Sequence, residues 1–381
     1  MAKLEHYIPV GKEKLRCGYT TGTCAAAAAR GAAERLLGGE WPAAVKLTTP
    51  AGIAVEVEPE QPRAGEDWAS CGVRKDGGDD PDMTDGILIC ARVKRRPDSG
   101  IVIDGGPGVG RVTQPGLDQP VGAAAINSTP RRMIREQLEQ ALKTHGAACG
   151  LAAEIFVPEG EALAAKTFNP RLGIRGGISI LGTSGIVRPM SEDALIRSLY
   201  LEQDARYAQG VRDLLVTPGN YGEGFAGNVL GLDLERWTLC SNYLGAAIDH
   251  AAGLGFHSFL LVGHLGKLVK VAGGAMNTHS KTADGRRETM AAHTALCGGD
   301  RALVQRIFDC PTTDAAVAIL EEAGLREPVM GSVTHALARN LRARAGDMAI
   351  EAVIFSNRYG ILGKTPGADR LLSIHKKEDT I

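Results

Sequence analysis

The sequence predicts a two-domain chain of mixed class, α/β and α+β. An N-terminal α+β domain spans residues 1–165, and a mostly parallel α/β domain spans 166–381. Three observations lead there. At 381 residues the chain is long enough for two domains and a large core. Up to about residue 165, many short strand-like runs accompany only two clear helices. From about Ile178, strands alternate with helices of ten or more residues, a spacing that implies parallel pairing with right-handed crossovers.

The first element is a helix of roughly Cys24 to Leu37, opened by GYTTGT at 18–23 and lined by Ala25 to Ala29. The hydroxyls of Thr20, Thr21 and Thr23 can cap its unpaired N–H groups, and alanine is the best helix former. A methyl-only face lets a broad, flat molecule approach the backbone, and the positive helix end suits a carboxylate or phosphate. The same stretch also reads as a well-capped alanine helix packed on a sheet. Short strands follow at Val45–Thr49, Ile53–Val57, Ser70–Arg74, Ile87–Val93 and Ile101–Ile103, then a helix at Met133–Thr144 and a strand at Ala152–Val157. Between two strands, DGGDDPDMTD at 76–85 is an acidic turn whose Asp79, Asp80, Asp82 and Asp85 suit either solvent or a hard cation.

The second part opens with a strand at Ile178–Leu181 that ends in Gly182-Thr183-Ser184-Gly185. Ser191 caps a helix with Glu192 and Asp193 in its first turn, as the helix dipole prefers. Strands at Leu214–Thr217, Thr238–Cys240 and Phe256–Val262 run into PGNYG (218–222), SN (241–242) and GHLGK (263–267), with a helix at Tyr243–Ala252 between the last two. Helices at about Thr289–Ala295, Asp300–Phe308, Asp314–Glu322 and Met330–Arg344 and a strand at Ile350–Phe355 complete the pattern. In a parallel sheet each glycine-rich tip falls at a carboxyl end, where open α/β sheets bind ligands.

Composition excludes several classes. A net charge of −1 gives no global field for nucleic acid or anionic membrane, so anionic ligands must meet local basic clusters. Hydrophobic residues at 44% and charged residues at 23% are ordinary for a soluble globular protein. The eight cysteines are scattered with no CxxC pair, which argues against a zinc site and a disulfide scaffold. No run approaches 18 apolar residues and MAKLEHYIPVGKEK lacks an apolar leader core, so a cytoplasmic location is expected.

Several clusters could carry chemistry. Residues 102–110, VIDGGPGVG, fit the hhDxGxGxG loop of Rossmann-like methyltransferases, yet Pro115 and Gly116 follow where a helix should begin. A different ligand-contacting turn using Gly106, Gly108 and Gly110 is the alternative. Arg131 and Arg132 sit at a helix start, where they oppose the dipole, and with Arg171 they suit a carboxylate-rich ligand or a solvated surface. His264, Lys267, His279 and Ser280 lie just past strand ends in GHLGK and NTHS. The two histidines suit acid/base work or a structural hydrogen bond, and no metal-binding spacing is present.

The blocks GYTTGTCAAAA, GGPGVGRVTQPGL (105–117), AINSTPRRMI (125–134), KTFNPRLGIRGGISILGTSGIVRPMS (166–191), VTPGNYG (216–222), SNYLG (241–245) and VGHLGKLVKVAGGAMNTHS (262–280), with Asp284, resemble the CbiD family. These are the cobalt-precorrin-5B C(1)-methyltransferases of anaerobic cobalamin biosynthesis. The blocks run in the expected order from about Cys17 to Arg287, and beyond about residue 290 the match is diffuse. The resemblance implies methyl transfer from S-adenosylmethionine to carbon 1 of a cobalt tetrapyrrole, giving cobalt-precorrin-6A. Cobalt would be carried by the substrate and not by the protein.

With that resemblance, Gly182, Thr183, Ser184, Gly185, Gly219, Asn220 and Gly222 are expected at the methyl donor, and His264 and His279 at the chemistry. Thr20, Thr21, Thr23, Gly106, Gly108, Gly110, Arg131, Arg132, Arg171, Lys267 and Ser280 are expected at the macrocycle. The partner would be a small-molecule tetrapyrrole, with no nucleic acid and no membrane; the oligomeric state, homo-oligomers included, stays open. Two other readings stay open at this point: a phosphate-binding kinase or ligase using the glycine loops, and a non-catalytic tetrapyrrole carrier.

Overall fold

Strands at Trp68–Arg74, Leu88–Arg96 and Gly150–Phe156 bury mainly Val, Ile, Leu, Ala and Cys, and they pair antiparallel through the middle of a five-stranded sheet. Glu60–Ala64 forms one edge, where Pro62 is tolerated because an edge strand can spare an N–H. Ile101–Gly105 forms the other edge and pairs parallel with Gly150–Phe156. The computed structural model describes residues 3–235 and 237–377. It divides into two units, Met1–Glu192, which holds this sheet, and Asp193–Ile381.

The division lies past the residue 165 expected from sequence. Gly177–Ile178 pairs with Gly108–Val109, Ile174–Arg175 with Arg111–Val112, and Ile186–Val187 with Gly18–Tyr19. These short pairings tie residues 174–187 to the first unit, so Ile178–Leu181 is not a strand of the later parallel sheet.

The alanine helix spans Thr21–Gly38 and packs on the sheet and on a second helix, Ser128–Thr144. Ala25 to Ala29, Ala32 and Ala33 are fully buried, and Cys71 Sγ reaches within 3.2 Å of the Ala28 carbonyl. Methyl side chains permit that approach, and any larger residue would overpack the contact. The helix is therefore core, and its alanine face is no wall for a ligand. The acidic turn is also internally committed. Asp76 takes both arms of Arg16, Asp82 takes the buried Lys75, Asp79 and Asp85 accept the N–H groups of Arg16 and Gly77, and Asp80 accepts that of Met190. Asp79 and Asp85 remain exposed, so the turn is solvated on its outer side while its carboxylates are hydrogen-bonded. Among the described residues no group of three or more His, Cys, Asp or Glu is placed to hold a metal ion.

The second unit is built on a sheet ordered Thr238–Leu239, Asp213–Thr217, Ser258–His264, Ala349–Ser356, Gly360–Lys364. The first four strands are parallel and the last is an antiparallel edge. Alternation along Ser258–His264 sends Phe259 and Leu261 to one face and Leu260 and Val262 to the other, and all four are buried. A strand buried on both sides reads as a continuous apolar run, as parallel sheets require. Helices Leu244–Leu254, Leu265–Ala272, Arg286–Leu296 and Arg326–Ala345 share the core with the first face, whereas Asn220–Asn228 and Ala368–Ile374 cover the second.

Candidate active site in the C-terminal unit

The strand order reverses between Asp213–Thr217 and Ser258–His264. After Asp213–Thr217 the chain goes through the Asn220–Asn228 helix to a strand on one side; after Ser258–His264 it goes through Leu265–Ala272 toward a strand on the other. Those two helices lie on opposite faces, so the loops leaving adjacent carboxyl ends part. A crevice opens at such a switch point. It is a cavity of about 600 Å³ whose lining includes Gly219, Tyr221, Gly222, Asn242, His264 and Lys267, together with residues 278–280, Arg286 and 312–314.

Each wall has a local cause. Gly222 lets the Asn220–Asn228 helix seat on the sheet, since a Cβ there would stand 2.8 Å from both Thr217 Cβ and the Val262 carbonyl. Gly219 is different. Its backbone is extended (φ 167°), which any residue can adopt, and a Cβ would meet only Lys267 Nζ at 3.8 Å. Glycine at this position leaves space at the mouth. Ser241, at the third strand tip, holds a left-handed φ of 51°, the kind of local strain that clusters at functional loops.

His264 ends its strand and caps the next helix. Its Nδ1 accepts the Gly266 N–H at 3.1 Å, and its ring stands edge-on to Phe355. Burial pushes its pKa below the usual histidine value, against the opposing field of Asp314. The ring is thus neutral near neutrality, and with Nδ1 accepting, its proton sits on Nε2. It can donate from Nε2 more readily than it can take a proton there. His279 is half-buried with the same habit, its Nδ1 accepting the Lys281 N–H at 3.2 Å.

Lys267 Nζ donates to the carbonyls of Pro218 (2.5 Å) and Ser241 (3.4 Å), joining two strand tips, and burial lowers its pKa. An ammonium has a third donor. Lys270 is almost fully buried and donates to Thr278 O, Ala283 O and Ser280 Oγ, which fixes the NTHS loop. Thr278 in turn binds Asn242 through both its N–H and its hydroxyl. Arg286 makes two bonds to Asp284, whose carboxyl they hold at about 2. The cleft therefore gathers Gly219, Gly222, His264, Lys267, His279 and Ser280 from the sequence expectations. Asn220 is exposed at the start of its helix and lines nothing there.

The candidates in the first unit do other work. Thr20, Thr21 and Thr23 are buried. Thr20 Oγ1 caps the helix through Thr23 N, Thr21 binds Leu181 N–H and the Ser179 and Leu181 carbonyls, and Thr23 Oγ1 donates to Gly185 O at 2.7 Å. Residues 179–185 thus cover the helix end. Gly182 has φ 128°, and a Cβ would stand 2.4 Å from Thr20 Cβ; Ser184 Oγ binds Ile186 O, and Thr183 is exposed. Gly182–Gly185 is a packed loop on an alanine helix and not a tip of the parallel sheet.

Gly108 and Gly110 likewise serve close packing, their Cβ positions lying 1.9 Å from Val157 O and 2.3 Å from Ile174 Cγ2, and Gly106 faces the Glu154 side chain. Arg131 is half-buried and donates to the carbonyls of Ile126, Ile103 and Ala124, strapping the helix start to its own unit. Arg132 is exposed, 3.8 Å from Glu136, and Arg171 is half-buried on the 3₁₀ turn Asn169–Leu172.

Sequence reasoning missed Tyr221, Asn242, Arg286 and Asp314 at the cleft. Tyr221, 73% exposed with its ring 6.5 Å from that of His264, stood between two chosen glycines. Asp314 sat in a helix with no local signal.

Residues 8–189 match the family described as CbiD, and residues 277–366 match the family described as CbiD, C-terminal domain. A protein of Ruminiclostridium cellulolyticum named cobalt-precorrin-5B C(1)-methyltransferase is 47% identical over 355 residues, covering 93% of this chain and 92% of the relative. Proteins of the same name from Alkaliphilus metalliredigens and Salmonella typhimurium are 41% and 43% identical, covering 98% and 97% of this chain and 99% and 98% of the relatives. A crystal structure of the cobalamin biosynthesis protein CbiD from Archaeoglobus fulgidus is 30% identical, covers 74% of this chain and 87% of that one, and superposes with a TM-score of 0.40. Among the described residues no helix is long and apolar enough to cross a membrane.

Proposed function

The chain belongs to the CbiD family, and we propose that it transfers a methyl group from S-adenosylmethionine to carbon 1 of cobalt-precorrin-5B, giving cobalt-precorrin-6A in the cytoplasm. The donor is proposed to sit in the switch-point cleft of the C-terminal unit. The observation that carries this assignment is the parting of the loops after Thr217 and His264 around a cavity of about 600 Å³. That volume suits a nucleoside-sized molecule, since ligand pockets run ~300–1,000 Å³. The reading of a kinase or ligase has no P-loop in this chain to support it.

The donor would supply an electrophilic methyl on a sulfonium: an electron-rich ring carbon would bond to that methyl as its bond to sulfur breaks, with S-adenosylhomocysteine as the leaving group. The protein's part is alignment, and positioning of this kind can supply ~7–11 kcal/mol. Lys267 offers its remaining N–H to a carboxylate of the bound molecule. His264, neutral, donates from Nε2 without adding charge beside a sulfonium. Lys270 acts at one remove, fixing the loop that carries Thr278, His279 and Ser280. Tyr221 lays a flat, exposed ring at the mouth, where stacking on a macrocycle fits its geometry.

Single-turnover mixing with S-adenosylmethionine and the cobalt tetrapyrrole tests this reading. One methyl gained per macrocycle, with S-adenosylhomocysteine formed in equal amount, is expected. Corrinoid binding without methyl gain would make the protein a carrier.

A further inference from the structure

Beside the cleft lies a smaller cavity of about 90 Å³, and the two share Arg286, Thr312 and Thr313 in their linings. It is a side pocket of the same crevice, set among the helices Arg286–Leu296, Arg301–Phe308 and Thr313–Glu322. Its buried part is apolar: Met290, Ile307, Cys310 and Ala316. Its outer part is polar and carries net positive charge. Arg286 binds Asp284 twice, and Lys270 Nζ stands 3.8 Å from the same acid, so that carboxylate is already neutralised. Arg287 is exposed and makes no hydrogen bond or ion pair with the described residues. Thr313 is 8% exposed, yet its hydroxyl has no partner among the described residues. That Oγ1 would stand 3.6 Å from a Cβ on Gly266, a residue of the cleft wall, so it lies where pocket and cleft meet. The Thr313 N–H is a first-turn donor as well, and the Thr312 cap satisfies only that of Ala315.

An apolar floor under a cationic rim is the complement of a short aliphatic chain that ends in an anion. The volume of about 90 Å³ equals about three waters at ~30 Å³ each, which admits an acetate or propionate group and no ring. The tetrapyrrole proposed as substrate carries such arms around its edge. Their methylenes gain by leaving water, and a guanidinium with both arms unused matches a carboxylate bidentately. Asp314, whose charge would oppose such a group, lines the cleft and not this pocket. We propose that the side pocket is a substrate subsite: it takes one acetate or propionate arm of the macrocycle, whose carboxylate is met by Arg287 and the unused Thr313 donors. This inference rests on the tetrapyrrole being the substrate, as proposed above.

The test is calorimetry with three probes. Cobyrinic acid is a cobalt corrin whose arms end in carboxylates, and in cobinamide those arms are amides. S-Adenosylhomocysteine carries the other short carboxylate that could enter. Arg287→Ala removes an exposed side chain, so the fold should be unaffected. It should weaken cobyrinic acid about ten- to a hundredfold, the range for a charge-assisted hydrogen bond, and leave cobinamide and S-adenosylhomocysteine unchanged. Thr313→Val, near-isosteric, should cost cobyrinic acid about fivefold. Weakening of S-adenosylhomocysteine by Arg287→Ala would assign the pocket to the methyl donor and overturn the substrate subsite. Equal loss for both corrins, or no loss for cobyrinic acid, would show that no carboxylate is read there and would overturn it too. The parent protein separates the two levels. If it methylates the cobalt tetrapyrrole in single turnover but does not bind cobyrinic acid, the function stands and this inference fails. If it neither methylates the one nor binds the other, the functional reading fails first and takes the inference with it.

Discussion

Two loops of this chain look alike on paper, Gly-Thr-Ser-Gly at 182–185 and Gly-Asn-Tyr-Gly at 219–222, and they are opposites in structure. The first is closed. Gly182 has a left-handed backbone with Thr20 where a side chain would go, and its neighbours spend their polar groups on one another. The second is open at its first residue, where Gly219 has an extended backbone and a Cβ would stand 3.8 Å from its nearest neighbour, Lys267 Nζ; only Gly222 at its end is packed. The basic residues divide in the same way: Arg131 binds three carbonyls inside its unit, whereas Lys267 binds two at the rim of a cavity. A glycine-rich turn or a local cation is evidence for a ligand only when the space around it is empty and its own bonds leave capacity.

The largest effect that would sharpen this contrast is on stability. Gly182→Val should destabilise the N-terminal unit by about 3 kcal/mol, combining a strained φ with overlap on Thr20. Gly219→Val should leave melting unchanged and weaken S-adenosylhomocysteine at least tenfold. Thermal melts beside calorimetry check the pair, and the reverse assignment of effects would break the comparison.

Next comes chemistry. His264→Ala should lower the single-turnover rate by about 10²-fold through loss of a placed donor, with ~1 kcal/mol of stability lost from the helix cap. The parent's pH profile carries a sign. Because burial depresses the His264 pKa, its contribution to stability is present above the ordinary histidine value of about 6.5 and is lost as pH falls through the lower folded value. Activity should follow the same fall, since protonation at Nδ1 breaks the bond to Gly266. A stopped-flow pH series in which the parent and His264→Ala run parallel would remove the histidine from the mechanism.

Lys267 and Arg131 form the third test. Lys267→Ala should raise the Kd for S-adenosylhomocysteine about ten- to a hundredfold with little change in melting. In the parent, affinity should fall as pH rises toward, but below, the usual lysine value of 10.5, because burial lowers the point at which the charge is lost. Arg131→Ala should do the opposite of Lys267→Ala, costing about 1–3 kcal/mol of stability through its orphaned carbonyls while leaving affinity alone. The smallest effect belongs to Arg132→Ala, expected within about 0.5 kcal/mol and without change in binding, as for an exposed charge. A large binding loss there would show that exposed arginines of the first unit meet the macrocycle.

The parallel sheet was legible because its strands, buried on both faces, are unbroken apolar runs. Leu214–Thr217, Phe256–Val262 and Ile350–Phe355 each lie within two residues of the observed Asp213–Thr217, Ser258–His264 and Ala349–Ser356. From those strands the carboxyl-end loops followed, and with them Gly219, Gly222, His264 and Lys267. The Asn220–Asn228 helix was hidden by its own three glycines, 222, 224 and 227. Leu265–Ala272 was hidden because a histidine, not Ser, Thr or Asp, caps it. In the first unit, composition misled for one reason. Whether a threonine or glycine there faces a ligand or its own backbone depends on partners far along the chain, such as Gly185 for Thr23 or Val157 for Gly108, and no local pattern encodes them.

Hydrogen exchange with and without S-adenosylhomocysteine tests the central claim most directly, because it reports location without any substitution. The account predicts slowed exchange at the amides of 219–223 and 266–270, the two helix starts that flank the switch point. Protection confined to 106–110 or 182–185, with those starts unchanged, would place the donor in the N-terminal unit and contradict it.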